Sequence, residues 1–111
     1  ISMRRPMYDT MSTLFEYAKG SISDKDMEEF ASLTEHATDE ALRLAQVCEG
    51  IACTVESDAR GGHPAGSFHG ADSVFTLLCA LAHSFDTIAA MAHVGDEATY
   101  HLNCRKRGVE P

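Results

Sequence analysis

Apolar residues recur along this chain at helical spacing, and no stretch alternates as a strand would. Val74, Leu78, Leu81, Phe85, Ile88 and Ala92 fall four, three, four, three and four residues apart, on one stripe of a helix beginning near 72. Phe75, Leu77, Cys79, Ala82 and Met91 widen that stripe until little polar surface remains. A helix so broadly apolar has to be covered on more than one side. Asp72 or Ser73 is the expected N-cap. The phase continues through Gly95 to Thr99 and Leu102, which carries the helix to about Arg105, although Asp96 would also serve as the cap of a short separate helix.

Two more patterns precede it. Pro6 suits a first helical turn, and Met7, Met11, Leu14 and Ala18 then follow in phase, predicting a helix over 7–19 that ends at Lys19-Gly20, with Gly20 free to take positive φ. Tyr8, Phe15 and Tyr17 lie partly off that stripe, as exposed aromatics available to a partner. Ser23 caps the next helix, with Asp24 and Asp26 in its first turn. Met27, Phe30, Thr34, Ala37, Ala41, Leu44, Cys48, Ile51 and Val55 then keep phase throughout, which favours one helix from 24 to 58. Thr38-Asp39-Glu40 is a competing cap signal that allows a break near His36–Thr38. Between the long helices, 59–70 holds four glycines and Pro64 and reads as an inter-helix loop, with Phe68 as a plug over the helix ends.

Composition adds limits. The chain is one domain of 111 residues. Ile1-Ser2, ahead of the first methionine, reads as a vector remnant, so 1–6 is expected to be a flexible start and 106–111 a flexible tail. A net charge of −8 opposes binding to nucleic acid or to an anionic membrane. Twelve carboxylates between Asp9 and Asp58 face only Lys19, Lys25 and Arg43. This acidic face either keeps the protein soluble or imitates nucleic acid toward a basic target. Arg105-Lys106-Arg107 matches the dipole of a helix C-terminus. Cys48, Cys53, Cys79 and Cys104 form no Cys-x-x-Cys pair, which with the lack of a signal peptide points to a reduced, cytoplasmic setting. The long apolar helix could be taken for a membrane span, but His83, Ser84, Asp86 and Thr87 interrupt its centre, and it reads instead as a soluble, buried helix.

No catalytic signature is present, and no enzyme, cofactor or metal site is expected. His93, Glu97 and His101, at i, i+4 and i+8, are the candidate metal ligands, and a metal-binding helical enzyme or sensor is the alternative they define. They lack further converging ligands, and no Glu-x-x-His repeat of the di-iron bundles occurs. Cys79 and His83 could act as nucleophile and base, but a buried thiol beside a hydrogen-bonded histidine is the simpler reading. His83 and Asp86 are placed to satisfy each other. His63 and His69 flank the loop glycines.

The expected architecture is all-α: a short N-terminal helix laid across a long antiparallel helical hairpin, whose surplus apolar surface is covered by a homodimer completing a helical bundle, or by another protein. Val74, Leu78, Leu81, Phe85, Ile88, Phe15 and Tyr8 are the candidate dimer or partner interface. In size and texture over about 11–104, with Ala-Thr-Asp-Glu-Ala-Leu-Arg-Leu-Ala-Gln-Val-Cys-Glu-Gly-Ile-Ala (37–52) and Ala-Asp-Ser-Val-Phe-Thr-Leu-Leu-Cys-Ala-Leu-Ala-His (71–83) as the helix pair, the chain resembles the QslA-type quorum-sensing anti-activators of pseudomonads. The resemblance implies a small inhibitor that binds the ligand-binding domain of a LuxR-type transcription factor and blocks its dimerisation. It rests on no diagnostic motif and assigns no functional residue.

Overall fold

The computed structural model describes residues 5–60 and 70–111. The inter-helix loop centre, with His63, Phe68 and His69, and the first four residues lie outside them. The fold is all-α, with a short N-terminal helix and a long bent helical hairpin. Helix α1 spans Pro6–Ala18 and continues into a 3-10 turn, Lys19–Ser21. Helices α2 (Asp24–Ala31) and α3 (Leu33–Ala59) form the first, bent arm of the hairpin, and α4 (Ala71–Arg107) forms the second. The radius of gyration is 19.2 Å, against about 13 Å for a compact chain of this length, and the molecule measures 64 × 30 × 16 Å. It is a plank one or two helices thick.

Local chemistry accounts for most of the ends. Ser23 accepts a hydrogen bond from the Asp26 amide at 3.1 Å and starts α2 as its sequence predicts. Gly108, at φ 68°, ends α4 in a Schellman motif: its amide reaches the Arg105 carbonyl at 3.2 Å, and the Val109 amide reaches the Cys104 carbonyl at 2.9 Å. Residues 106 and 107 are therefore helix rather than tail. Gly20 does not use its freedom, since Gly108 is the one described residue with positive φ. The chain turns instead through extended backbone at Ile22 and Ser23. Gly70 takes the N-cap position of α4, with no side-chain cap, and Asp72 sits in the first turn, so neither Asp72 nor Ser73 is the cap.

The single helix expected over 24–58 is instead two, interrupted at Ser32, about one turn before the His36–Thr38 position of the competing cap signal. There the amide is shared between the Glu28 and Glu29 carbonyls, both at 3.2 Å, and the hydroxyl donates to the Glu29 carbonyl at 2.6 Å. This local tightening tilts the helix axis without breaking its phase. Thr38 donates to the Thr34 carbonyl and remains inside α3.

The core lies at one end. Phe15, Met27, Val94 and Ala98 are buried together, with Met11, Ile22, Ala31, Leu33 and Leu102 against them. Helix α1 does not cross the hairpin but runs alongside the C-terminal half of α4 in the same direction: Tyr8 meets His93 and Phe15 meets His101. On α1 the buried line is Met7 or Tyr8, Met11 or Ser12, and Phe15, while Leu14 and Ala18 face outward. Phe15 is thus core rather than partner surface, because the larger ring fills the space between α2 and α4. Arg105 clasps this head, donating to Asp24 Oδ1 at 2.8 Å and to the Lys19 carbonyl at 3.2 Å. Arg105→Ala is expected to cost about 1 kcal/mol in urea unfolding, and Asp24→Asn, which spares the carbonyl bond, about half of that.

Candidate association surface

Beyond the head, the hairpin continues as a distal arm made of α3 from about 41 onward and α4 up to about 85. Its seam follows the middle of the predicted α3 stripe: Leu44, Cys48 and Ile51 are half-buried against α4, which contributes half-buried Leu77 and Leu81, whereas Ala41 and Val55 of that stripe are exposed. Among the described residues no third layer covers the pair. Phe75, Leu78, Ala82 and Phe85, three, four and three residues apart, form an outward stripe on α4. Phe75 is 68% exposed, Leu78 59% and Phe85 59%. Val74 flanks them, and Leu42, Val47 and Val55 are exposed on α3. The most apolar 18-residue window of α4, with mean hydropathy 1.6, is only 11% buried. By length and composition α4 could cross a membrane. The buried helix expected from its sequence is therefore buried only in its C-terminal half.

Of the seven interface candidates, Val74, Leu78 and Phe85 lie on this uncovered face. Leu81 and Ile88 share the helical face of Gly95, which meets α3, and are half-buried there. Tyr8 packs on His93 with ring centroids 5.2 Å apart, and Phe15 is in the core. The buried stripe of α4 is thus Ala90, Val94, Ala98, His101 and Cys104, in place of Ala92 and Thr99. Large exposed apolar patches on a folded chain mark association surfaces.

Where this stripe meets the start of α1 there is a groove of about 640 Å³, lined by Arg5, Pro6, Cys79, Ala82, His83, Phe85, Asp86 and Ala89. Asp86 is its buried member. Its two oxygens accept the Met7 and Tyr8 amides, each at 2.9 Å, so this carboxylate of α4 caps α1. The pairing expected between His83 and Asp86 gives way to that role, since a helix N-terminus offers two aligned amides and a favourable dipole. Pro6 in the first turn lacks an amide and leaves those two donors to be satisfied. Sequence offered no signal for this beyond Pro6 itself. Cys79 and His83 are both exposed, so the buried thiol expected beside His83 is a surface thiol.

The candidate metal ligands are dispersed into packing roles. His93 lies against Tyr8, while His101 is buried between Phe15, at 6.0 Å, and Tyr100, at 5.8 Å. Among the described residues no three His, Cys, Asp or Glu side chains are placed to share a metal ion. The resolved shifts in acidity lie away from the groove. A hydrogen bond from Lys19 holds the Glu16 carboxyl below its usual range, and the neighbouring Cys104 side chain raises Tyr100. The acidic side chains of α2 and α3 are partly offset by Arg105 with Asp24, Arg43 with Glu40 and Arg60 with Glu56. Compared with protein-family models, curated proteins and solved structures, the chain finds no match.

Proposed function

We propose that this is a small cytoplasmic regulator, without enzymatic activity, that works by protein association through the distal arm. It pairs with a second copy of itself and inhibits a partner protein by occupying a surface the partner needs. The observation that carries this reading is the exposed stripe of Phe75, Leu78 and Phe85 on a helix pair with no third layer among the described residues. Two such arms packed face to face would make a four-helix bundle, and an apolar helical face also suits a groove on a target. On the resemblance to pseudomonad anti-activators, the target is the ligand-binding domain of a LuxR-type transcription factor, whose dimerisation would be blocked.

Phe85→Asp places a charge at the end of the stripe nearest α1, at a side chain 59% exposed in the free chain, so folding should survive. Sedimentation and titration with such a ligand-binding domain are expected to show dimer and complex weakened at least about a hundredfold, with circular dichroism unchanged. A folded Phe85→Asp chain that still dimerises and still binds would refute the reading. Binding that collapses between roughly 0.05 and 0.5 M salt would point instead to an acidic, nucleic-acid-imitating surface on α2 and α3.

A further inference from the structure

The arm and the head are held together very differently. In the head, Phe15, Met27, Val94, Ala98 and Cys104 are buried, and Arg105 and Asp86 tie three helices together. From 41 to 59 and from 71 to 85, no described residue is buried. The half-buried residues form a single file: Leu44, Cys48, Ile51 and Asp58 on one side, Ser73, Leu77, Leu81 and Ser84 on the other. Three of these eight are polar. Among the described residues, the ion pairs Arg43 with Glu40 and Arg60 with Glu56 lie within α3 and do not cross the seam. Helical segments of this length are marginal in water without tertiary packing, and local stability follows the density of buried apolar contacts.

We infer that the distal arm is a separately opening unit: both of its strands of helix come apart and fray together while the head stays folded, and association closes it. The second clause rests on the proposed function; the first does not. In such a device the helix propensity of the arm sets how tightly the protein associates, because binding has to order what is open. Gly50 is the natural handle. It lies inside α3 with no atom within 4 Å of where a Cβ would stand, so Gly50→Ala adds helix propensity without touching a neighbour.

Hydrogen exchange read by mass spectrometry tests this on the intact chain, at a dilution where sedimentation shows monomer and at a hundredfold higher concentration. In the monomer, amides of 41–59 and 71–85 should exchange at least about a hundredfold faster than those of 90–107. Gly50→Ala should slow exchange about fivefold in both segments, including the α4 segment that does not carry the change, and leave 90–107 unaltered. Equal protection along the whole of α4 in the monomer would overturn the inference, as would a Gly50→Ala effect confined to α3. Fast exchange in the arm that persists in the dimer would keep the separate opening and remove the arm from the dimer interface.

Discussion

Gly95→Ala is expected to lower stability by about 2 kcal/mol, although alanine is the better helix former by about 1 kcal/mol. Gly95 is buried in the interior of α4, where the bent arm of the hairpin crosses it. A Cβ placed there would stand 2.6 Å from the Thr34 backbone nitrogen and 3.2 Å from its Cα, and would also overlap the Thr34 hydroxyl. The hydroxyl could rotate away, but the backbone cannot. The two helices would have to part next to the core formed by Met27, Val94 and Ala98. Thermal unfolding should shift down by roughly 10 °C for a chain of this size. The double variant Gly95→Ala with Thr34→Ala should recover little, because the backbone contact remains. A melting temperature unchanged or raised would show that propensity outweighs the close approach, and the crossing would have to be looser than described.

Asp86→Ala is the second large effect, at about 2 kcal/mol, and it should be felt at the far end of the sequence. The carboxylate accepts the first two free amides of α1 at 2.9 Å each, and it is only 7% exposed. Charge-assisted bonds of this kind contribute about 1.5–3 kcal/mol, and their loss leaves donors in a partly dry site. Asp86→Asn keeps one acceptor and turns an amide group toward the other donor, so it should fall between wild type and alanine. Hydrogen exchange would locate the effect: α1 should lose protection most, while 90–107 changes less. Uniform loss across the molecule, or none in α1, would refute the assignment of Asp86 as its cap.

The same two residues show where sequence reading stopped. Helical phase was enough for the hairpin, because one stripe from Met27 to Val55 has to find another, and the α3 seam keeps Leu44, Cys48 and Ile51 of it while Ala41 and Val55 stay exposed. The stripes of α1 and α4 were less certain. Leu14 and Phe15 sit on adjacent lines of equal spacing, and only the hole between α2 and α4 selects the ring. On α4, bulk misled: Ala90, Gly95 and Ala98 are buried, with α3 closely approaching Gly95, and Phe75 and Phe85 are left outside. Gly95 stood in the sequence only as a position the helical phase runs through, and its use as a crossing point depends on Thr34. The bend at Ser32 belongs to the same crossing. That part of the α4 stripe would stay exposed was legible from breadth alone, since a stripe too wide for one partner leaves a remainder. Asp86 carried no local mark of its role, because its partners are in another helix.

That distance has a consequence for how the protein comes into being. Met7 and Asp86 are 79 residues apart, so at about 5–20 residues per second the ribosome releases the first helix some 4–16 seconds before the carboxylate that caps it is made. During that interval Phe15 has neither Val94 nor Ala98 to pack against. The α1 segment therefore waits, exposed to chaperones and to other nascent chains, until Asp86, Val94 and Ala98 have emerged.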